Sequence, residues 1–307
     1  QRCGVTDNLT FSSDILIEED IWLSNIFGCS VYKINLGTRT ATGDDQSTTE
    51  IGQMLQNHVG KHREAMYYVH VDTRDIELVR TLCDFGMYVV DVNVTHESDA
   101  HSVTIPSWED SFSIGEIRPN QHQSVLDIAS TCFKVSRFHL DPLITTRIAN
   151  QIKNDWIQNY IDGKRGEKLL VACLEERPVG FLAVLTKEEQ GRRIKIIDLT
   201  GVNTSDQGQG IGRALASYFI HEYSDQCDWF RVGTQISNIP AMALYTSLGF
   251  AAVETKYLIH MHVKDGQVLS PKHTLGAMLT NVSAMYGKKS FDLEGEEGFR
   301  KRESSIL

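Results

Sequence analysis

A glycine-rich stretch at residues 207–212 joins a predicted strand to a predicted helix, and it limits the folds that this chain can adopt. It reads Gln207-Gly208-Gln209-Gly210-Ile211-Gly212. Glycines let the backbone approach a ligand closely, and the free N–H groups at the start of a helix attract phosphates with help from the helix dipole. The stretch therefore predicts an anion site within a fold that mixes strands and helices.

The same glycines are close to the dinucleotide-binding pattern GxGxxG, which is the competing interpretation. The match is imperfect, because the glycines stand at every second position from 208 to 212. The loop also follows the third of a series of antiparallel-looking strands, whereas the dinucleotide motif opens a βαβ unit at the start of a sheet. The pattern thus favours a phosphate loop of another kind.

The residues before position 95 predict a small α/β unit. Thr73 is predicted to cap a helix that buries Ile76, Val79 and Leu82 or Cys83 on one face and ends near Gly86. The polar stretch 95–113 predicts a linker or a crossing loop. Strands are predicted at 31–36, 67–71 and 87–94, and a further helix at 51–59.

The chain after residue 113 predicts the order β-α-α-β-β-β-α-β-α-β, which is typical of an α/β sheet with crossover helices. Helices are predicted after Pro119, at 143–160, at 210–223 and after Pro240, and strands at 169–174, 179–185, 194–202, 230–235 and as a pair over 250–263.

Composition excludes several classes of function. The chain has 307 residues, 41% hydrophobic and 23% charged, with a net charge of −10, so we expect neither nucleic acid nor anionic lipid as a partner. Its longest apolar run has about six residues, which predicts no membrane span. The six cysteines show no zinc-ligand spacing, so we predict no metal and reduced thiols in a cytoplasmic protein. The start, residues 1–4, lacks an apolar segment, and we interpret it as a processed or trimmed beginning.

Two motifs identify a family. Gln207-x-x-Gly210-x-Gly212 resembles the pyrophosphate loop of the GCN5-related N-acetyltransferase (GNAT) superfamily. Asn238-x-x-Ala241-x-x-Leu244-Tyr245-x-x-x-Gly249-Phe250 resembles the second half of the acetyl-CoA site in that superfamily. The resemblance implies an α/β fold of the GNAT type, with a mixed, mainly antiparallel central sheet flanked by helices, preceded here by a small α/β N-terminal domain. It also implies acetyl-CoA as co-substrate.

A closer resemblance covers most of residues 20–265. Four short motifs are similar in order and spacing to the bacterial dTDP-fucosamine N-acetyltransferase family, which acetylates a dTDP-linked 4-amino-4,6-dideoxyhexose. It implies a nucleotide-linked amino sugar as acceptor and a role in lipopolysaccharide or other surface polysaccharide biosynthesis. The motifs are Trp22-x-x-x-x-Phe27-Gly28, Ser136-Arg137-Phe138-His139-x-Asp141-Pro142, Trp156-Ile157-x-Asn159 and Thr234-Gln235-x-x-Asn238.

The resemblance also implies the coenzyme residues. The thioester is expected beside the strand that ends at 199–202, where Gly201 would suit a bulge. Asn238 could contact the coenzyme or cap the helix that starts at Pro240. The implied set is Leu199, Gly201, Val202, Gln207, Gly208, Gln209, Gly210, Ile211, Gly212, Arg213, Asn238, Ala241 and Tyr245.

For catalysis, the resemblance implies that Tyr245 is the general acid that protonates the leaving thiolate, and that Asp91 takes the place of a glutamate base. Asp91 is one methylene shorter than glutamate, and an acid on an exposed strand face is the structural alternative. His139 and Asp198 are rival acid–base candidates.

Arg137, His139 and Asp141 are the expected acceptor residues. A planar guanidinium suits a diphosphate, although a salt bridge from Arg137 to Asp141 would explain both residues equally well.

We therefore predict an N-terminal α/β domain at 1–112 on the acceptor side, an acetyltransferase domain at 113–265 and an extension at 266–307. The extension contains an amphipathic helix that docks on the body or on a second subunit, which leaves a homodimer open. Two alternatives to the amino-sugar enzyme remain: an acetyltransferase for another small amine or a protein N-terminus, and a domain that binds acyl-CoA without catalysis.

Overall fold

The structure is a computed structural model that describes residues 15–37, 45–103, 112–269 and 271. The predicted helix of the extension lies outside these residues. The strands are β1 (Leu16–Glu19), β2 (Ser30–Asn35), β3 (Glu64–Asp72), β4 (Tyr88–Asp99), β5 (Ser113–Glu116), β6 (Lys168–Leu174), β7 (Arg177–Glu189), β8 (Arg192–Val202), β9 (Trp229–Gln235), β10 (Ala251–Lys264) and β11 (Gln267–Leu269). The helices are α1 (Ile21–Phe27), α2 (Asp45–Val59), α3 (Ile76–Asp84), α4 (His122–Thr131), α5 (Arg137–Leu140), α6 (Thr146–Ile161), α7 (Ile211–Tyr223) and α8 (Ile239–Ser247).

All of these strands belong to one sheet. Its order is β1-β2-β3-β10-β4-β9-β8-β7-β6-β5, with β11 paired to β10. Among these pairings, β2 with β3 and β8 with β9 are parallel, and the others are antiparallel. Strand β4, from the first third of the chain, lies between β9 and β10, so the N-terminal unit and the later strands share one continuous sheet.

The polar stretch 95–113 is predicted to be a linker or a crossing loop. That prediction is wrong for residues 95–99, which belong to strand β4. Strand β4 runs to Asp99 because residues 93–99 pair with β9 on one side and residues 93–97 with β10 on the other. Buried and half-buried side chains alternate over its second half, from Val94 to Asp99, as expected of a strand in a sheet interior. His96 and Ser98, which looked like loop residues, are buried.

Two further local expectations are corrected. Asp75, not Thr73, caps α3, because its carboxylate accepts the N–H of Leu78 at 3.1 Å. The helix buries Leu78 and Leu82, whereas Ile76 is exposed. The predicted pair of strands over 250–263 is the single strand β10, which pairs with β3 and β4 along most of its length and with the short β11 at its end.

Helix α6 links two hydrophobic cores. Ile157 and Tyr160 pack with α4 and with strands β6 and β7, while Ala149 and Ile152 pack with α1, α5, β2 and β3. Trp22 of α1 and Trp156 of α6 meet edge to face, with ring centroids 5.9 Å apart. Burial of each large apolar side chain contributes about 1.5–3 kcal/mol, so α6 holds the helices of the N-terminal unit against the later strands.

Candidate active site

The pairing of β8 with β9 stops partway along both strands, and we call the region between their unpaired ends the cleft. Their parallel pairing covers only residues 194–197 and 229–232. Beyond it, β8 continues to Val202 paired with β7, and β9 continues to Gln235 paired with β4. The backbone edges that face each other across the gap lack ladder partners, so they can hydrogen-bond to a ligand that carries amides.

The bulge in β8 lies at Asp198, not at Gly201 as expected. Ala183 pairs with Leu199 and Val184 with Ile197, which leaves Asp198 as the extra residue. Gly201 pairs regularly with Phe181. A Cβ at Gly201 would lie 2.6 Å from Sγ of Cys132, so the glycine is required because the end of α4 packs directly on this part of the strand.

The glycine loop has the conformation that an anion site needs. Gly208 and Gly210 have φ of +82° and +81°, a region that favours glycine, and a Cβ at either position would meet nothing within 4 Å. Gly210 is the N-cap residue of α7 and has no side chain with which to cap this helix. Its first N–H groups are therefore free to bind an anion.

Side chains around the loop hold it in place. Asp206 is buried and accepts two hydrogen bonds from Arg177, at 2.8 and 2.9 Å, which lower its pKa to about 2. Gln207 donates to the carbonyl of Val202, and Arg213 donates to Ser247 of α8. Among the other expected coenzyme residues, Gln209 is exposed, and Leu199, Ile211 and Ala241 pack against the cores. A Cβ at Gly212 would be in ordinary van der Waals contact with Leu244 and Val202.

Helix α8 carries Asn238 at its N-cap and Tyr245 in its interior. The side chain of Asn238 accepts the N–H of Ala241 at 3.4 Å, which is the capping arrangement. Tyr245 is 3% exposed, and its ring lies 6.1 Å from the ring of His96 and 6.0 Å from that of Phe250. Burial raises the pKa of the Tyr245 hydroxyl, so it carries its proton at neutral pH.

Asp91 is buried rather than on an exposed strand face. Its carboxylate accepts the N–H of Val92 at 2.7 Å and the hydroxyl of Ser237 at 2.8 Å. Burial raises the pKa of this carboxyl, and the hydrogen bonds oppose that shift. Ser237 directly precedes the cap of α8, so the two expected catalytic side chains are connected through the start of one helix.

Arg137 does not form the alternative salt bridge with Asp141. Its guanidinium carbon lies 4.1 Å from the ring centroid of Tyr68 and 4.5 Å from that of Phe138. Its Nη1 atom is fully buried and has no hydrogen-bond partner among the described residues. Arg137 is therefore a cation held between aromatic rings with donor capacity left for a ligand.

Asp141 has other partners. One carboxylate oxygen accepts from His260 at 2.7 Å and from His262 at 3.0 Å, and the other accepts the hydroxyl of Tyr88 and the N–H of Leu143. The two histidines lower the pKa of its carboxyl, against the opposing effect of burial. Asp141, His260 and His262 are close enough to hold a metal ion, but the hydrogen bonds already account for the arrangement.

The rival acid–base candidates are also engaged. His139 contacts Ser136 at 2.7 Å through one ring nitrogen and Asn150 at 2.9 Å through the other. Asp198 accepts from Trp156, Tyr160 and both donor arms of Arg165, and this network lowers the pKa of its carboxyl. Both side chains are satisfied by protein groups, which favours a structural role for each.

Sequence reasoning missed Lys153, His260 and His96. Lys153 is buried on α6, where it occupies a position of the apolar stripe formed by residues 149, 152, 156, 157 and 160, so that spacing was an available signal. His260 is fully buried on β10, and His96 is buried on β4 beside Tyr245. No local signal marks either histidine, because both follow from long-range strand pairing.

Comparisons with known proteins show which families this chain resembles. The family model described as "Acetyltransferase (GNAT) family" matches residues 123–250. A curated relative, the spore coat polysaccharide biosynthesis protein SpsD of Bacillus subtilis (strain 168), is 24% identical over 275 residues, covering 84% of this chain and 86% of that protein.

Solved structures show the same fold. A GCN5-related N-acetyltransferase from Sphaerobacter thermophilus superposes with a TM-score of 0.54 at 14% identity, covering 85% of this chain and 79% of that one. A functionally unknown conserved protein from Staphylococcus epidermidis ATCC 12228 gives 0.56 at 16% identity, covering 83% and 94%. Within the part of the chain that the structure describes, no helix combines the length and apolarity needed to cross a membrane.

Proposed function

Because residues 123–250 form an acetyltransferase domain of the GNAT family, which makes the chain an N-acetyltransferase, we propose that it acetylates the amino group of a nucleotide-linked amino sugar. The sugar is of the dTDP-4-amino-4,6-dideoxyhexose type, and the product enters surface polysaccharide biosynthesis in the cytoplasm. The predicted family and the predicted fold are confirmed by the comparisons. Similarity to SpsD supports the polysaccharide context, and the four motifs shared with the amino-sugar family support the acceptor.

The cleft between β8 and β9 is the observation that carries this proposal. Its unpaired edges suit the amides of a pantetheine arm, and the glycine loop with the uncapped start of α7 suits a pyrophosphate. The residues present therefore fit acetyl-CoA, which would supply the acetyl group as a thioester. The residues proposed to hold it are 199–202, 207–213, Asn238 and Ala241.

Two side chains supply the proton transfers. Tyr245, protonated at neutral pH and fixed by α8, would donate its hydroxyl proton to the departing sulfur. Asp91, held by Ser237 and the N–H of Val92, would accept the proton of the acceptor ammonium, directly or through one water. Arg137, with His139 and Asp141 supporting the same loop, is proposed to bind the diphosphate of the acceptor.

An acceptor panel tests the proposal. The full chain is incubated with acetyl-CoA and dTDP- or UDP-linked 3- and 4-amino sugars, with small amines and a peptide N-terminus as alternatives. Release of free thiol with a nucleotide amino sugar and not with the others is the expected result. Turnover confined to a small amine or a peptide would overturn the acceptor assignment, and tight acetyl-CoA binding without turnover on any amine would favour a binding domain.

A further inference from the structure

Two buried cations lie on the same face of the sheet without a carboxylate partner. Arg137 is held between Tyr68 and Phe138, as described above. The Lys153 ammonium, 7% exposed as a residue, lies 4.9 Å from the ring centroid of Phe133 and 5.0 Å from that of Trp156. Among the described residues, neither cation forms an ion pair within 4 Å.

The carboxylates near these cations are already occupied. Asp20 accepts the hydroxyl of Tyr68 at 2.8 Å and the N–H of Leu23 at 3.0 Å. Asp141 accepts from two histidines, and Asp198 accepts a bidentate pair from Arg165. The carboxylates of the described residues therefore do not neutralise Arg137 and Lys153 by direct ionic contact.

Arg137 interacts electrostatically with Lys153 and with His260. Burial and the nearby Arg137 lower the pKa of Lys153 to about 8, and both causes also lower the pKa of His260 to about 4. His260 gives its Nδ1 proton to Asp141, so Nε2 of the neutral ring is an acceptor, and this atom is fully buried without a partner among the described residues. Nη1 of Arg137, a donor, is likewise fully buried without a hydrogen-bond partner among the described residues.

Lys153 is connected to the cleft through Cys132. Lys153 lies close enough to Cys132 for the two groups to interact electrostatically, and Cys132 packs directly on Gly201 at the end of β8. Helix α6 thus connects the strand that borders the proposed thioester site with the Arg137 loop.

An unpaired buried charge is costly, and cationic side chains in such a position are normally paired or ligand-bound. Aromatic rings offset part of the cost, and the hydroxyl of Tyr68 interacts with the guanidinium of Arg137, but Nη1 of Arg137 keeps no hydrogen-bond partner among the described residues. We propose that Arg137 and Lys153 form one anion site, and that the acceptor carries a negatively charged group, phosphate or carboxylate, with an adjacent O–H or N–H that donates to His260. This inference rests on the proposed acetyl transfer, but not on the nucleotide.

Ligand-dependent stability of the full chain tests the anion site. Saturating coenzyme A first occupies the glycine loop; pyrophosphate, dTDP, glucuronate or the neutral sugar glucose is then added, and the thermal unfolding midpoint is measured. At least one anion should raise the midpoint, and glucose should not. Lys153→Met and Arg137→Met should abolish that rise, while Arg147→Met, an exposed cation on α6, should retain it.

The unliganded variants provide a second readout. Because Lys153→Met removes an uncompensated charge, its midpoint without anion should equal or exceed that of the wild type, whereas loss of a structural ion pair would lower it. With the acceptor found in the panel, both Met variants should raise KM on the order of 30-fold or more, with kcat changed far less.

The outcomes separate the two hypotheses. Stabilisation by dTDP or pyrophosphate supports both the anion site and the nucleotide acceptor. Stabilisation by glucuronate alone keeps the anion site and overturns the nucleotide. No anion effect in the presence of coenzyme A, or an undiminished effect in both Met variants, overturns the anion site whatever the acceptor is.

Discussion

The two sides of the cleft are built from different chemical groups. The proposed coenzyme side, from β8 to α8, relies on the backbone: unpaired strand edges, two glycines at positive φ and the start of α7 behind a glycine N-cap. The proposed acceptor side relies on buried side chains, among them Asp91, Arg137, Lys153 and His260, which come from β4, α5, α6 and β10. One side is continuous in sequence, and the other is assembled by the sheet.

This difference determines how each side responds to substitution. A backbone site tolerates changes of most side chains but not of the residues that set its φ angles. A site made of buried charges depends on each side chain, because removal of one group leaves another without its partner. The variants below test this contrast in order of decreasing effect.

Tyr245→Phe should have the largest effect, because the coenzyme side depends on this one side chain for proton donation. We expect kcat to fall on the order of 100-fold or more, while the dissociation constant of coenzyme A stays within about twofold. Steady-state kinetics and calorimetric titration measure the two quantities. Tyr223→Phe, which removes another buried hydroxyl without a hydrogen-bond partner among the described residues of the same core, should leave kcat unchanged. Wild-type turnover in the Tyr245 variant would remove it from the mechanism.

Asp91→Asn should lower kcat/KM by about 100-fold and change its pH dependence. Burial raises the pKa of Asp91, and only the ionised carboxylate accepts a proton. The rate of the wild type should therefore fall as pH decreases through that raised pKa, and the acidic limb should disappear in the variant. Asp99→Asn on the same strand is the control. If the acidic limb survives in the Asp91→Asn variant, it belongs to another group.

Gly210→Ala should weaken coenzyme binding about tenfold, because an alanine at φ of +81° costs about 1–2 kcal/mol. The matched control is Gln209→Ala, an exposed side chain in the same loop, for which we expect a change of less than about twofold. Calorimetric titration of coenzyme A into both variants measures this. Equal losses in the two would mean that side chains, not the backbone, hold the phosphates.

The same contrast explains what could be predicted from the sequence. The loop at 207–212 and the cap at Asn238 are local, so spacing alone located the strand, the helix and their junction. The pairing of β4 with β9 and β10 joins segments at least 130 residues apart, and no local pattern indicates it. The burial of Asp91 and the partners of Asp141 depend on that pairing, and they could not be foreseen.

Asp206→Asn should have the smallest effect, and it tests whether any ionic contact shapes the coenzyme side. Arg177 holds the pKa of Asp206 at about 2, below its ordinary value of 3.8. The stabilisation that this pair provides is therefore fully present above about pH 4 and is lost as pH falls towards 2. Thermal unfolding of the wild type should show this acid-dependent loss of stability. The loss should be smaller in the Asp206→Asn variant and unchanged in Asp225→Asn, which alters an exposed carboxyl that follows α7.

If the backbone defines the loop, the dissociation constant of coenzyme A for Asp206→Asn at neutral pH should stay within about twofold of the wild-type value. A rise above fivefold would contradict the contrast, because the loop would then depend on an ion pair as the acceptor side depends on its charges.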